Sequence, residues 1–89
     1  MKNFIYPQDF NDFRDGLKVK NAQINQWIDA GFKTIKKKIK KGVKNPSYSL
    51  RSGNAAVFIF AYKQDNDTYQ ISVFVSKNYR ENTKYDFVL

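Results

Sequence analysis

The most strongly patterned part of the chain is residues 21–41, which read NAQINQWIDAGFKTIKKKIKK. Apolar residues recur here at spacings of three and four, the period of an amphipathic helix, and their stripe spans roughly 140° of the helix circumference. The stripe consists of Ile24, Trp27, Ile28, Phe32, Ile35 and Ile39. We therefore predict a helix over 21–41 with this stripe facing the core. Gly31 lies inside the stripe and predicts either a close approach to a sheet or a turn between two shorter helices.

Capping signals bound this helix and indicate a shorter one before it. Asn21 is a suitable N-cap, and Gly42 is a suitable residue to end the helix. Upstream, Pro7 followed by Gln8 and Asp9 predicts the start of another helix, which Gly16 weakens towards its end. Its apolar positions are Phe10, Phe13 and Leu17. Residues 3–6, just before Pro7, are a short apolar run that predicts a first strand.

Beyond Pro46 the pattern changes to that of strands and turns. In chain order, the sequence predicts a strand at 48–51, a turn at 53–54, a strand at 55–62, a loop at 64–67, a strand at 69–76, a loop at 79–84 and an edge strand at 85–89. Residues 55–62 are continuously apolar, which predicts a central strand covered on both faces. The chain as a whole predicts a single α+β domain. A short N-terminal strand and two helices, or one broken long helix, would pack on a three- to four-stranded antiparallel sheet.

Composition removes several classes of function. The 89 residues include no cysteine and no histidine, which excludes disulfides, thiolate zinc sites and histidine-based catalysis. The acids are scattered, so we expect no metal and no cofactor. No apolar run reaches the roughly 18 residues of a membrane span, and the first ten residues lack the pattern of a signal peptide. We therefore expect a cytoplasmic protein without a membrane partner.

The net charge of +8 is concentrated in one stretch. Residues 1–32 and 54–89 each contain four basic and four acidic residues, whereas residues 33–53 contain eight basic residues and no acid. Such a local field attracts polyanions, which makes RNA or DNA the leading expected partner and an acidic protein the alternative. The candidate nucleic-acid-binding residues lie on the helix arc opposite the apolar stripe and are Lys33, Lys36, Lys37, Lys40, Lys41 and Lys44. A helix face that serves only solubility would show the same residue types.

Part of the same region resembles the helix-turn-helix and wing of excisionase and MerR-like DNA-binding proteins. Thr34-Ile35, Ile39 and Gly42 match the recognition helix of that pattern, and Pro46, Tyr48 and Arg51 match the beginning of the wing. Trp27 and Ile28 would be core positions of the first helix. This resemblance implies a non-enzymatic protein that binds one duplex DNA sequence.

A second resemblance extends over most of the chain. Tyr48-Ser-Leu50-Arg51-Ser-Gly53-Asn54, followed by Val57-Phe58-Ile59, is similar to the Tyr-x-Leu-Arg-x-Gly-Asp pattern of the RelE/ParE/HigB superfamily of small bacterial toxins. Residues 73–77, which lead to Arg80 and Lys84-Tyr85, are similar to that family's closing strand and basic C-terminal segment. The order of a short strand, two helices and an antiparallel sheet also agrees.

The toxin resemblance implies a metal-independent endoribonuclease, encoded on a bacterial or phage mobile element and paired with an antitoxin. Such enzymes use cationic side chains and tyrosine to bind the scissile phosphate and to move protons. The positions that match in this sequence are Arg51, Lys77, Arg80 and Tyr85. The sequence departs from the family at Ala56, where the family has an arginine two residues after the Gly-Asp turn.

Three classes of function therefore stand side by side: an RNA-directed toxin, a DNA-binding protein, and a small inhibitor whose lysines bind an acidic host or defence protein. Several tyrosines could also stack on bases beside the lysines, although half-buried strand positions explain them equally well. These are Tyr48, Tyr62, Tyr69, Tyr79 and Tyr85.

Overall fold

Two helices pack on one face of a four-stranded antiparallel sheet, so the predicted α+β class is confirmed. The computed structural model describes residues 6–65, 68–77 and 82–88. Its elements are α1 (Gln8–Lys20), α2 (Ala22–Lys40), β1 (Ser47–Ser52), β2 (Ala55–Lys63), β3 (Tyr69–Ser76) and β4 (Asn82–Val88). The strands are ordered β1-β2-β3-β4, so each pairs with its neighbour in sequence.

The helix boundaries agree closely with the capping signals. Helix α1 follows Pro7 directly and runs past Gly16 to Lys20, and Asn21 alone separates it from α2. At the far end of α2, Gly42 adopts φ +88° and donates its N–H to the Ile39 carbonyl, while the Val43 N–H reaches the Lys38 carbonyl. This pair of hydrogen bonds is the Schellman motif, which needs a left-handed residue that glycine provides without steric cost.

Gly31 lies where α2 crosses the sheet, and α2 is one unbroken helix. A Cβ atom built on Gly31 would lie 2.6 Å from Ile59 Cδ1 and 2.7 Å from Tyr48 Cδ1. Of the two alternatives for this glycine, the close approach is therefore confirmed. Because residues 22–40 are continuous, no turn separates Trp27 from the residues of the second half of the helix.

Side chains alternate between the two faces of the sheet, and the helices cover one of them. The covered face joins Tyr48, Ile59, Val73 and Tyr85 in one cross-strand row. The described hydrophobic core consists of Phe10, Leu17, Ile24, Ile28, Phe32, Ile35, Val57, Ile59, Ala61, Ile71, Val73, Val75 and Phe87. It thus combines the stripe of α2, the inner side of α1 and alternate residues of the three later strands.

The prediction that β2 is covered on both faces is wrong. Its outward positions are Phe58, Phe60 and Tyr62, and the last two are 40% and 52% exposed. Two helices lie against the opposite face of the sheet, so these aromatic side chains point to the face that the helices leave open. We call this the open face.

The C-terminal strand is longer than predicted. The sequence predicts a loop through residue 84, whereas β4 begins at Asn82 and pairs with β3 from that residue onward. Its outward residues are mostly polar, as an edge strand with one solvated face allows. A polar run of this kind is typical of a loop, which is why the sequence predicted one for residues 82–84. Tyr6 lies outside any strand, and residues 3–5 of the predicted first strand lie outside the described residues.

Candidate nucleic-acid interface

The predicted lysines share one side of the molecule, formed by the second half of α2 and the turn after it. We call Lys33, Lys36, Lys37, Lys40, Lys41 and Lys44 the lysine face. Five of the six are exposed, and Lys36 is half-buried. The opposite arc of α2 packs on the sheet through Ile28 and Ile35, which are fully buried. The lysine face therefore points away from the sheet.

Lys38 is positioned differently from its neighbours. Its ammonium group donates a hydrogen bond of 2.9 Å to the carbonyl oxygen of Ser47 at the start of β1. This contact links the end of α2 to the sheet. Helical spacing places Lys38 on the arc of the apolar stripe, which faces the sheet, and not on the lysine face. Lys38 thus has a structural contact, whereas Lys37 and Lys40 extend into solvent.

The stretch of sequence that forms the lysine face contains no carboxylate. Residues 30–64 contain no aspartate or glutamate, so all of β1, all of β2 and the second half of α2 carry no negative side chain. Ion pairs elsewhere among the described residues include Arg14 with Asp29, Lys18 with Asp15, and Lys84 with Asp86. Lysines in the last turns also stabilise the negative end of the helix dipole, but that effect needs only one or two of them.

Arg14, by contrast, is a structural cation. Its Nε donates a 3.0 Å hydrogen bond to Asn25 Oδ1, and its guanidinium pairs with Asp29. Asn25 is the one polar residue among the buried residues that the structure describes, and Arg14 satisfies its oxygen. The contact fixes α1 against α2 and leaves Arg14 unsuited to bind a ligand.

Of the four residues aligned with the toxin catalytic positions, Arg51 and Tyr85 lie far apart in the sheet. Arg51 lies on β1 and projects from the open face, because it pairs with Ala56 in the row that includes Ser76. Tyr85 lies on β4, three strands away, and packs against α1 on the covered face. Three strand spacings amount to about 14 Å. Arg80 lies outside the described residues.

Lys77 and Tyr85 both lie next to Phe13. The Lys77 ammonium is 5.8 Å from the centre of the Phe13 ring, and the Tyr85 ring centre is 5.2 Å from it. Burial raises the pKa of Tyr85, and the charges of Asp9 and Asp12 raise it further. The phenol is therefore held in its protonated form beside two carboxylates, which would repel a phosphate.

The open face contains the residues that sequence reasoning missed. Among the tyrosines proposed to stack on bases, Tyr62 lies on this face, Tyr48 and Tyr69 pack towards the core, and Tyr79 lies outside the described residues. Three phenylalanines join Tyr62 instead. A hollow of about 530 Å³ on this face is lined by Phe58, Phe60, Tyr62, Ser72, Phe74 and Lys84.

No group of three or more aspartate, glutamate, cysteine or histidine residues in the described ranges is placed to hold a metal ion. No helix formed by the described residues is both long and apolar enough to span a bilayer.

Comparison of the chain with protein-family models, with curated proteins and with solved structures finds no match. The function must therefore be argued from the surfaces themselves.

Proposed function

We propose that this protein binds nucleic acid through the lysine face of α2. The observation that supports this most directly is the exposure of Lys33, Lys37, Lys40, Lys41 and Lys44 on one side of the fold, with no acidic residue between positions 30 and 64. Clustered ammonium groups repel one another at a cost to stability, and a polyanion relieves that repulsion when it binds. Phosphates displace condensed counterions as they pair with lysine, which supplies the free energy of binding.

The proposed interface contacts the nucleic-acid backbone. Lysine side chains on a convex helix surface bind phosphates as point charges, and phosphate contacts carry no sequence information directly. We therefore expect two duplexes of unrelated sequence to bind with similar affinity. A strong preference for one sequence would instead favour the excisionase-like alternative.

The proposal is binding without RNA cleavage. Arg51 and Tyr85 lie on opposite faces of the sheet, so one phosphate cannot contact both. Tyr85 also lies near two carboxylates. Growth arrest upon expression of the chain, abolished by Arg51→Ala, would contradict this restriction and favour the endoribonuclease.

Salt dependence provides the test of the lysine face. We would measure the affinity of the full chain for a fluorescein-labelled 20-base-pair duplex by fluorescence anisotropy at several KCl concentrations. Each lysine–phosphate contact contributes about 0.9 to the slope of log K against log salt. We expect the double substitution Lys37→Gln, Lys40→Gln to reduce that slope by about 1.8.

The matched control neutralises two lysines of α1, Lys18→Gln and Lys20→Gln. Both residues are exposed, so the pair changes the net charge equally and leaves the core intact. They lie beside the start of α2, about 22 Å along the helix from Lys37. The control should keep the slope of the unaltered protein. An equal loss of slope in both variants would refute the proposal. Failure of the unaltered protein to bind duplex at low salt would also refute it, and an acidic protein would then become the expected partner.

A further inference from the structure

The open face is an aromatic surface that the described helices and strands leave uncovered. Phe58, Phe60 and Tyr62 occupy alternate positions of β2, and Phe74 stands opposite Phe58 on β3. The buried residues of the same strands, including Ile59 and Val73, point the other way. Each partly exposed ring leaves apolar area in contact with water, and an exposed apolar patch of this kind marks an interaction site.

We infer that the open face binds the unpaired bases of a single-stranded nucleic acid. This inference takes nucleic acid as the class of partner from the proposed function. The inference concerns a different surface from the proposed function, since the lysine face is on the opposite side of the sheet. It also specifies that the nucleic acid is single-stranded. Either surface can therefore fail while the other stands.

The spacing of the rings suits stacked bases. Successive outward residues of a strand are about 6.8 Å apart, twice the roughly 3.4 Å rise per nucleotide of a stacked strand. The ring centres of Phe58 and Phe74 are 6.0 Å apart and tilted by 48°, so the two rings present separate inclined faces on neighbouring strands. Every base has a flat π-face, which is why aromatic platforms on sheets accept single strands. The bases of a duplex are already stacked on one another and cannot lie on these rings.

Positively charged side chains lie beside the rings, where they could contact the phosphates of a bound nucleic acid. Lys84 lines the hollow beside the aromatic side chains, and Arg51 projects from the same face at the edge strand β1. The one acid on the described part of this face, Asp86, already accepts a 2.6 Å hydrogen bond from Ser72 and lies 3.7 Å from the Lys84 ammonium. Asp86 offsets the charge of Lys84, so Arg51 supplies the net positive charge among the described residues of this face, and that charge complements phosphates.

Other occupants fit less well. A second copy of the chain would bring +8 against +8, and a large net charge keeps proteins apart. A bilayer surface would attract a protein whose aromatic and lysine-rich surfaces lie together, whereas here they lie on opposite faces of the sheet. A single-stranded nucleic acid would contact the rings with its bases and the cations Lys84 and Arg51 with its phosphates.

The test replaces rings while keeping apolar volume. Phe60→Leu combined with Tyr62→Leu alters two exposed side chains, so the core is untouched and folding is checked by circular dichroism. The probes are a labelled 12-nucleotide single strand and the matching 12-base-pair duplex. Stacking on one ring is worth about 5- to 140-fold in affinity, and we expect at least the lower value to be lost for the single strand, with duplex affinity unchanged.

Val19→Ala serves as the control for loss of an exposed apolar side chain, since Val19 is 87% exposed on α1. It should leave single-strand affinity unchanged. If the leucine variant keeps full single-strand affinity while Lys37→Gln, Lys40→Gln weakens binding, the inference fails and the proposed function stands. The reverse result supports the inference and refutes the proposed function.

Two further measurements address the competing occupants. Sedimentation of the unaltered protein tests for a second copy, and flotation with phosphatidylcholine–phosphatidylserine vesicles tests for a lipid surface. A dimer or a vesicle complex that the leucine variant abolishes would overturn the inference, because the rings would then have another partner. Monomeric protein that stays out of the vesicle fraction supports it.

Discussion

Substituting alanine for Gly31 tests how closely α2 is seated on the sheet. The new methyl carbon would lie 2.6 Å from Ile59 Cδ1 and 2.7 Å from Tyr48 Cδ1, whereas carbon atoms in contact are about 3.5–4.0 Å apart. Neighbouring atoms must therefore move by about 1 Å. Ile59 is completely buried and cannot swing into solvent, so the adjustment must involve the Tyr48 ring or the helix itself.

The magnitude follows from two opposing effects. Overpacking by one methyl group costs about 1–3 kcal/mol, and replacement of glycine by alanine inside a helix contributes about 1 kcal/mol of stability. Gly31→Ala should therefore lower the free energy of unfolding by about 0–2 kcal/mol.

Gly16→Ala provides the matched control in α1. No heavy atom lies within 4 Å of a Cβ built on Gly16, so the helix preference acts alone. We expect stabilisation of about 0.5–1 kcal/mol, which raises Tm by roughly 2–8 °C in a domain of this size. Urea denaturation followed by circular dichroism would measure both variants. The difference between them isolates the overpacking cost, and equal stabilisation of the two variants would refute the close approach at Gly31.

Two other predictions concern the end of α2 and the pH dependence of stability. Gly42→Ala should lower the free energy of unfolding by about 1 kcal/mol, because φ at Gly42 is +88° and alanine is strained there; urea denaturation measures this, and an unchanged midpoint would contradict the Schellman ending. Burial raises the pKa of Tyr6 above 10.0, so the folded state holds the phenol proton more tightly than the unfolded state. Its contribution to stability is complete below pH 10 and is lost as the pH rises through the higher folded value. Tyr6→Phe should therefore lose less stability on alkaline titration than the unaltered protein, and identical pH profiles would contradict this assignment.

The sequence predicted the helix layer well because each signal there is local. Apolar periodicity defines the buried stripe of α2, and Gly42 ends the helix through its own backbone geometry. The turn at Gly53 and Asn54 is equally local. Gly53 adopts φ +59° as the first residue of a two-residue connection between β1 and β2, as type II′ hairpin turns require.

The candidate site was only partly predictable because face assignment depends on the whole fold. The lysine face follows from helical periodicity, and its exposure agrees with that pattern. The contact of Lys77 with Phe13 joins the residue after β3 to α1, and the separation of Arg51 from Tyr85 depends on strand order. Residues distant in sequence meet or separate through pairings that no local pattern encodes.

The number of elements explains why the apolar run of β2 forms an open face. Alternation places half of any strand on each side of a sheet, so coverage of both faces needs helices on both sides. Helix α2 has 19 residues and is about 28 Å long, close to the roughly 30 Å length of the nine-residue strand β2. The four strands span about 14 Å between the outer axes, and two helices packed 8–10 Å apart fill approximately that width. The two helices of the described residues are therefore enough for one face, and no helix of the described part covers the other.

That geometry also accounts for the separation of charge and aromatic rings. The apolar stripe of α2 must face the sheet, so its lysines must face away from it. The rings at alternate positions of β2 must then appear on the far side, because Val57 and Ile59 occupy the side next to the helices. The surface proposed to bind phosphates and the surface proposed to bind unpaired bases therefore lie on opposite faces as a result of the same packing. A strand that contacts both must pass around an edge of the sheet, where Arg51 on β1 and Lys84 on β4 provide the nearest positive charges among the described residues of the open face.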